Sequence, residues 1–161
     1  MNIARFEKVS EKQFLEDMSL TGNTDIVEYE GILMPQRATS GSAGYDFYSP
    51  AEVVLKPGES CRIPTGIRAQ IDNGYVLQLY PRSSFGFKYR MRLLNTVGII
   101  DSDYYNADNE GHIIVGIVNE GDRELLIRKN DRFVQGIFCR YYLAEEEENS
   151  RERHGGFGST D

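Results

Sequence analysis

From about residue 30 onward, short apolar runs of strand length alternate with turn signals, and no helical period persists. The turns are carried by Pro57-Gly58, Asp72-Asn73-Gly74, Asn119-Glu120-Gly121-Asp122 and Lys129-Asn130-Asp131, residue types that fix φ, tolerate positive φ or bond their own backbone. A chain punctuated this way buries its apolar side by packing sheet on sheet, which predicts an all-β domain, a sandwich or jelly roll. Between Cys61 and Ile71, residues Cys61, Ile63, Ile67, Ala69 and Ile71 share one parity while Arg62, Arg68 and Gln70 take the other, the pattern of a strand with one wet face. His112 to Val118 and Phe133 to Tyr142 are apolar on both parities, which predicts strands covered on both sides.

The two ends differ from this middle. Val9-Ser10-Glu11-Lys12-Gln13-Phe14 has the form of a helix start, with Ser10 as N-cap, Gln13 reaching back and Val9 packing on Phe14. A short N-terminal helix is expected to end before Thr21-Gly22-Asn23. At the other end, Glu145 to Glu148 is a run of like charge, read as a solvated linker, and His154 to Thr160 is too rich in glycine to pack alone. The layout expected is one domain over 1–161, with a helical extension over 1–30 and a flexible arm over 145–161.

At 161 residues and 40% hydrophobic content, one compact core is affordable. No apolar stretch approaches the roughly 20 residues of a membrane span, and MNIARFEKVS has no apolar centre of a signal peptide. The expected setting is soluble and cytoplasmic, with no membrane partner. Cys61 and Cys139 stand far apart in strand-like runs, which fits buried reduced thiols better than a disulfide framework. A net charge of −7 argues against nucleic acid as partner, and a small anionic substrate needs a local basic pocket or a metal.

Four segments carry groups suited to chemistry. Ser42-Ala43-Gly44-Tyr45-Asp46 places a carboxylate at the start of a β-run, where it also suits a turn cap. Pro81-Arg82-Ser83-Ser84-Phe85-Gly86 stops a strand and then offers a guanidinium, two hydroxyls and backbone amides, all groups that bind phosphate oxygens, though a polar surface turn would use them too. Asn95 to Tyr104 leads an apolar strand into Asp101-Ser102-Asp103-Tyr104; a carboxylate there can act as a general base on water, or simply build a β-turn. Arg153-His154-Gly155-Gly156-Phe157-Gly158-Ser159-Thr160 offers a phosphate-cradling backbone without the GK[ST] ending of a Walker loop.

Taken in order, SAGYD, PRSS, NTVGIIDSDY and GGFGST, with Asp131-Arg132-Phe133-Val134-Gln135 between the last two, resemble the five motifs of the homotrimeric dUTPase family. The resemblance runs from about residue 32 to the end, and Ile63-Pro64-Thr65-Gly66-Ile67 and Asp72-Asn73-Gly74-Tyr75 also match the family's intervening text. It implies a distorted jelly roll, or β-clip barrel, assembled as a homotrimer whose sites draw on more than one subunit. It implies hydrolysis of dUTP to dUMP and pyrophosphate, which keeps uracil out of DNA and supplies dUMP for thymidylate synthesis. The implied cofactor is Mg2+, held by substrate phosphates and water rather than by protein ligands.

The resemblance also assigns roles. Asp101 corresponds to the base that deprotonates the attacking water. Asn95, Gly98 and Ile100 correspond to a hairpin pocket reading the uracil edge, and Tyr104 to the residue under the deoxyribose. Ser83, with Ser84 and Arg82, and Gln135 correspond to phosphate contacts, while Asp46, Asp131 and Arg132 correspond to supporting charges. Phe157 corresponds to a residue stacking on uracil, with Arg153, Gly158, Ser159 and Thr160 around the terminal phosphate. Two departures stand out: Tyr105 to Gly111 replaces a shorter Arg-Gly turn, and Glu152 occupies the usual arginine position, leaving Arg151 and Arg153 on either side. A dCTP deaminase of the same fold is the nearest rival; its catalytic glutamate corresponds to Gly116 here. The other alternative is a trimeric regulatory protein that binds nucleotide without turnover.

Overall fold

The computed structural model describes residues 2–19 and 27–145. Arg151, Arg153, Phe157, Gly158, Ser159 and Thr160, and with them nearly all of the expected arm, lie outside the described residues. Twelve strands dominate: β1 Ala4–Lys8, β2 Gln36–Arg37, β3 Tyr45–Tyr48, β4 Val53–Leu55, β5 Ser60–Pro64, β6 Ile67–Ile71, β7 Tyr75–Pro81, β8 Met91–Leu93, β9 Gly98–Ile100, β10 Ile114–Asn119, β11 Leu125–Ile127 and β12 Arg132–Arg140. Two α-helices, α1 Glu11–Ser19 and α2 Ser83–Tyr89, and short 3-10 turns complete the described part.

The largest sheet runs β2-β3-β12-β7-β9, a second runs β5-β10-β8, and the pairs β1-β6 and β11-β4 flank them, all antiparallel. Between them lies one core, with Phe14, Phe47, Leu77, Ile113, Ile117, Leu125, Ile127 and Phe133 fully buried. This is the β-rich jelly-roll-like arrangement expected from the turns. Among the described residues no helix is long and apolar enough to cross a membrane.

The run from Cys61 to Ile71 is not one strand. It breaks at Thr65-Gly66, where Gly66 takes φ +75, so β5 pairs with β10 while β6 pairs with β1. The side-chain parity survives the corner: Ile63, Ile67, Ala69 and Ile71 are all buried. A β-carbon on Gly66 would lie 2.5 Å from Ile32 Cδ1, so both space and backbone angle call for glycine.

Strand β1 was not anticipated; it pairs Ala4 through Lys8 with Ile71 through Ile67 and carries the chain into α1. There Ser10 Oγ caps the helix by accepting from the Gln13 amide at 3.1 Å, and Val9 and Phe14 are both buried. The reciprocal half of the cap differs from expectation. Gln13 turns down the helix to Asp17 at 3.0 Å, and the Ser10 amide donates instead to Glu110, at 2.7 Å, from the far side of the chain.

The double-sided burial expected for β10 and β12 is only half present. Alternate residues of β10 are buried, and the others, Ile114, Gly116 and Val118, are partly open. On β12, Ile137 and Cys139 are likewise half-buried, and beside them Ile99 of β9 is 51% exposed. Both cysteines are free and partly open, and burial pushes the Cys61 thiol up to about 11. No described element of the same chain covers these apolar faces completely.

Candidate active site

The site is organised by β7, which lies between β12 and β9. At the C-terminal end of β7, Tyr80 stands opposite Gln135 of β12, which in turn stands opposite Asp46 of β3. Asp46 is only 4% exposed. Its carboxylate accepts Arg82 on one oxygen and Arg132 Nη1, at 3.3 Å, on the other. A buried carboxylate held between two guanidiniums leaves surplus positive charge beside it, and it aims those guanidiniums.

Arg132 reaches that face because of a bulge. Strict alternation would set Arg132 and Gln135, three residues apart, on opposite faces. Between Arg132 and Val134 the register to β3 shifts by one residue, and the two neighbours Phe133 and Val134 are both fully buried. The bulge absorbs one residue and returns Arg132 to the side of Asp46 and Gln135.

Gly44 makes room for the same cluster. A β-carbon there would lie 2.6 Å from Gln135 Oε1, so the glycine of SAGYD is needed for the close approach of Gln135. After Pro81 the chain enters α2, a helix that the sequence reading treated as a turn. Its first residues, Ser83 and Ser84, are exposed, and helix geometry leaves their amides without an i−4 acceptor. A groove of 570 Å³ runs from Tyr80, Arg82 and Ser83 to Arg90 and Arg92, with Glu120 paired to Arg92 at 2.5 Å. The combination of hydroxyls, amides and a guanidinium excess suits a chain of phosphates. Asp131 is elsewhere: it accepts from the Arg128 amide at 2.8 Å and fixes the turn before β12.

The other end of β7 meets the third motif. Gly98, Ile99 and Ile100 pair with Leu79, Gln78 and Leu77, and a β-carbon on Gly98 would press on Leu79 Cβ at 2.9 Å. Asp101 follows directly and begins the 3-10 turn Ser102–Asn106, with the Tyr104 amide donating to Asp101 O at 3.2 Å. Asn95 is exposed in the turn before β9, where Thr96 takes φ +67. That turn is not a ladder hairpin as expected: β8 pairs with β10, and β9 with β7, so it crosses from one sheet to the other.

Tyr104 is buried, and its hydroxyl points inward, donating to His112 O at 2.8 Å and accepting from Asn109 Nδ2 at 2.9 Å. Behind it His112 is fully buried, with Nε2 accepting from the Gly66 amide at 2.7 Å and Nδ1 facing Asp17 of α1 at 2.5 Å. A backbone amide only donates, so Nε2 is bare and the neutral ring carries its proton on Nδ1. Burial pushes the His112 pKa below its ordinary value, against the pull of Asp17. Glu110 is held below the usual carboxylate value by its bonds to Ser10. None of Gly44, Asn109, Glu110, His112 or Asp17 was singled out from the sequence as a site residue, although Gly44 stands inside a quoted motif.

The family model for dUTPase matches residues 30–161. The chain belongs to the dUTPase family. The deoxyuridine 5'-triphosphate nucleotidohydrolase of Lactococcus lactis is 45% identical over 148 residues, covering 89% of this chain and 99% of that protein. The enzyme of the same name from Nautilia profundicola is 40% identical over 133 residues, covering 80% and 90%. Among solved structures, the dUTPase of Streptococcus mutans superposes with a TM-score of 0.68 at 34% identity, covering 88% of this chain and 98% of that one. The dUTPase of phage phi11 of S. aureus, at 21% identity and a TM-score of 0.67, shares the fold. At Gly116, the position that corresponds to a deaminase's catalytic glutamate, this chain carries no carboxylate.

Proposed function

We propose that this chain hydrolyses dUTP to dUMP and pyrophosphate, by attack of water on the α-phosphorus. The observation that carries the reading is the Arg82–Asp46–Arg132 cluster beside Gln135, a cradle for phosphate that adjoins Ser83 in the chain. Asp101 takes the proton of the attacking water, the new bond forms from water oxygen to the α-phosphorus, and the bridging bond to the β-phosphate breaks. Ser83, Ser84, Arg82 and Gln135 hold phosphate oxygens, and Asn95 with the backbone at Gly98 and Ile100 reads the uracil edge. Tyr104 lies beneath the deoxyribose. Cytosine would present a donor where uracil accepts and leave a polar group unpaired.

Mg2+ fits this donor set as a companion of the nucleotide. Among the described residues no three His, Cys, Asp or Glu side chains converge on one point, whereas three phosphates and water supply the oxygen ligands this ion prefers. When bound it neutralises charge on the leaving pyrophosphate. Arg153, Phe157, Gly158, Ser159 and Thr160 are assigned to closure over the bound nucleotide, through the sequence resemblance alone.

The working unit proposed is a homotrimer. Ile100 stands opposite Leu77, and the five-residue step from Leu77 to Arg82 along an extended strand spans roughly 17 Å at ~3.3 Å per residue. That is too far for one triphosphate to meet Asp101 and Arg82 of the same chain in the manner described, so a second copy must supply one of them. The half-open apolar face around Ile99, Ile137 and Cys139 suits such an assembly.

The test is pyrophosphate release from dUTP, with UTP, dCTP and dTTP in parallel and EDTA as control. Fast metal-dependent release from dUTP alone supports the reading; binding of dUTP without release favours the regulatory alternative, and ammonia from dCTP a deaminase. Mixing Asp101→Asn with Arg82→Ala protein, each nearly silent alone, is expected to restore part of the activity if sites form between copies.

A further inference from the structure

The segment from Tyr105 to Gly111 is folded tightly against Tyr104. Gly111 takes φ +70, and a β-carbon there would lie 2.6 Å from Tyr104 O. The turn is fastened to the N-terminal part of the chain at several points: Tyr105 Oη donates to Glu7 of β1 at 2.6 Å. Glu110 accepts both the amide and the hydroxyl of Ser10 at 2.7 Å, and His112 bonds Asp17 of α1. Asn109 stands immediately before Glu110 in this turn. Its Nδ2 donates to Tyr104 Oη at 2.9 Å and lies 3.4 Å from His112 O, while its Oδ1 is buried without a partner among the described residues. A buried amide oxygen left unsatisfied costs stability. The chain keeps it where the other end of the amide pins a phenol.

We infer that Asn109 is a positioning residue for Tyr104, held in place by the docking of α1 on the 105–111 turn, and that it sharpens discrimination against ribonucleotides. This rests on the reading of Tyr104 as the residue beneath the sugar. With its hydroxyl drawn inward by Asn109 and His112 O, Tyr104 can offer a bound sugar only ring carbon. A ribose 2′-hydroxyl buried against it would find no partner. Without the Asn109 donor the phenol loses one of its bonds, its ring is freer to swing, and a sugar hydroxyl can be accommodated.

The experiment measures kcat and KM for dUTP and UTP in the wild-type protein, Asn109→Ala, Tyr104→Phe and the double variant. Loss of one neutral hydrogen bond corresponds to roughly 3- to 10-fold. Asn109→Ala is expected to lower the dUTP-over-UTP ratio of kcat/KM by that amount, more through a lower KM for UTP than through kcat. In the Tyr104→Phe background the same change is expected to add nothing, because the hydroxyl it acts through is gone. Asn109→Asp keeps the shape but removes the donor, and is expected to lower the ratio as well. An unchanged ratio in Asn109→Asp, or effects of Asn109→Ala and Tyr104→Phe that simply multiply, overturns the inference. If Tyr104→Ala collapses the ratio while the Asn109 variants do not, only this inference fails; a wild-type protein indifferent to the sugar overturns the reading beneath it too.

Discussion

Asp17 offers the sharpest check on how α1 is held. Its carboxylate faces His112 Nδ1 at 2.5 Å, in a ring that is fully buried. Replacing it with alanine removes a hydrogen bond to a charged group and leaves a buried N–H unpaired, since Nε2 is already committed to Gly66. A bond of this kind is worth about 1.5–3 kcal/mol, and the stranded donor keeps most of that loss from being recovered. For a chain of 161 residues, each kcal/mol moves the midpoint of thermal unfolding by roughly 2–4 °C. Asp17→Ala is therefore expected to lower Tm by about 3–12 °C at pH 7.5, measured by circular dichroism at one fixed protein concentration so that any assembly contributes equally. Asp17→Asn keeps an acceptor oxygen and is expected to lose less than half as much. A midpoint for Asp17→Ala within 1 °C of wild type, on the order of the smallest shift that this conversion resolves, would refute the idea that the pair holds α1.

The same histidine sets a pH window. Its folded pKa lies below the ordinary 6.5, so the stability it contributes is complete above that value and is lost as pH falls from there toward the folded value. Urea unfolding at pH 7.5, 6.5 and 5.5 should show a decline below 6.5, at most about 1.4 kcal/mol per unit, that His112→Gln flattens. Asp101→Asn is expected to bind dUTP while turnover falls about 100- to 10,000-fold; near-normal turnover would remove Asp101 from the chemistry. Gly44→Ala brings a β-carbon onto Gln135 Oε1, and is expected to raise KM for dUTP several-fold by displacing that amide, with the melting temperature little changed. Arg90 ends α2 at φ 53, so Arg90→Gly should raise stability by about 0.5–1 kcal/mol, read from the urea midpoint.

What the sequence made legible was whatever depends on neighbours in the chain. The turn residues announced a β domain, the parity of Ile63, Ile67, Ala69 and Ile71 predicted their burial, and Ser10 caps α1 as its position suggests. What escaped depends on distant partners. Gln13 lost its expected role because Glu110, a hundred residues away, already fills it. Strand β1 is a five-residue run between termini and helix, too short to show a period, and its identity comes from pairing with β6. Helix α2 has seven residues and no apolar repeat; the same Arg-Ser-Ser groups serve equally well in a turn, so their chemistry was readable and their backbone was not. At Thr65-Gly66 the signal was present, in a glycine placed midway through an apparent strand, and marked the corner where the chain changes sheets. Asp46, Arg82, Arg132 and Gln135 were each singled out from the motifs, but their common face depends on a bulge that alternation cannot foresee.

That bulge gives β12 something like a reading frame. Beyond Phe133 the strand pairs with β3 residue for residue, and Arg132, before it, is out of phase with that stretch by one. Arg132 belongs to one phase and Gln135 to the other, and both meet Asp46 only because of the offset. Pairing every residue of the strand in strict alternation, with none deleted, would remove the bulge and send the guanidinium to the opposite side of the sheet, whereas deleting one residue between Arg132 and Gln135 would leave them two apart and on one face. At its present length, a fully regular β12 is thus one that can no longer assemble the cluster. Small insertions and deletions in β12 are constrained by phase as well as by length, whereas changes in the turn before Arg132 leave the frame untouched.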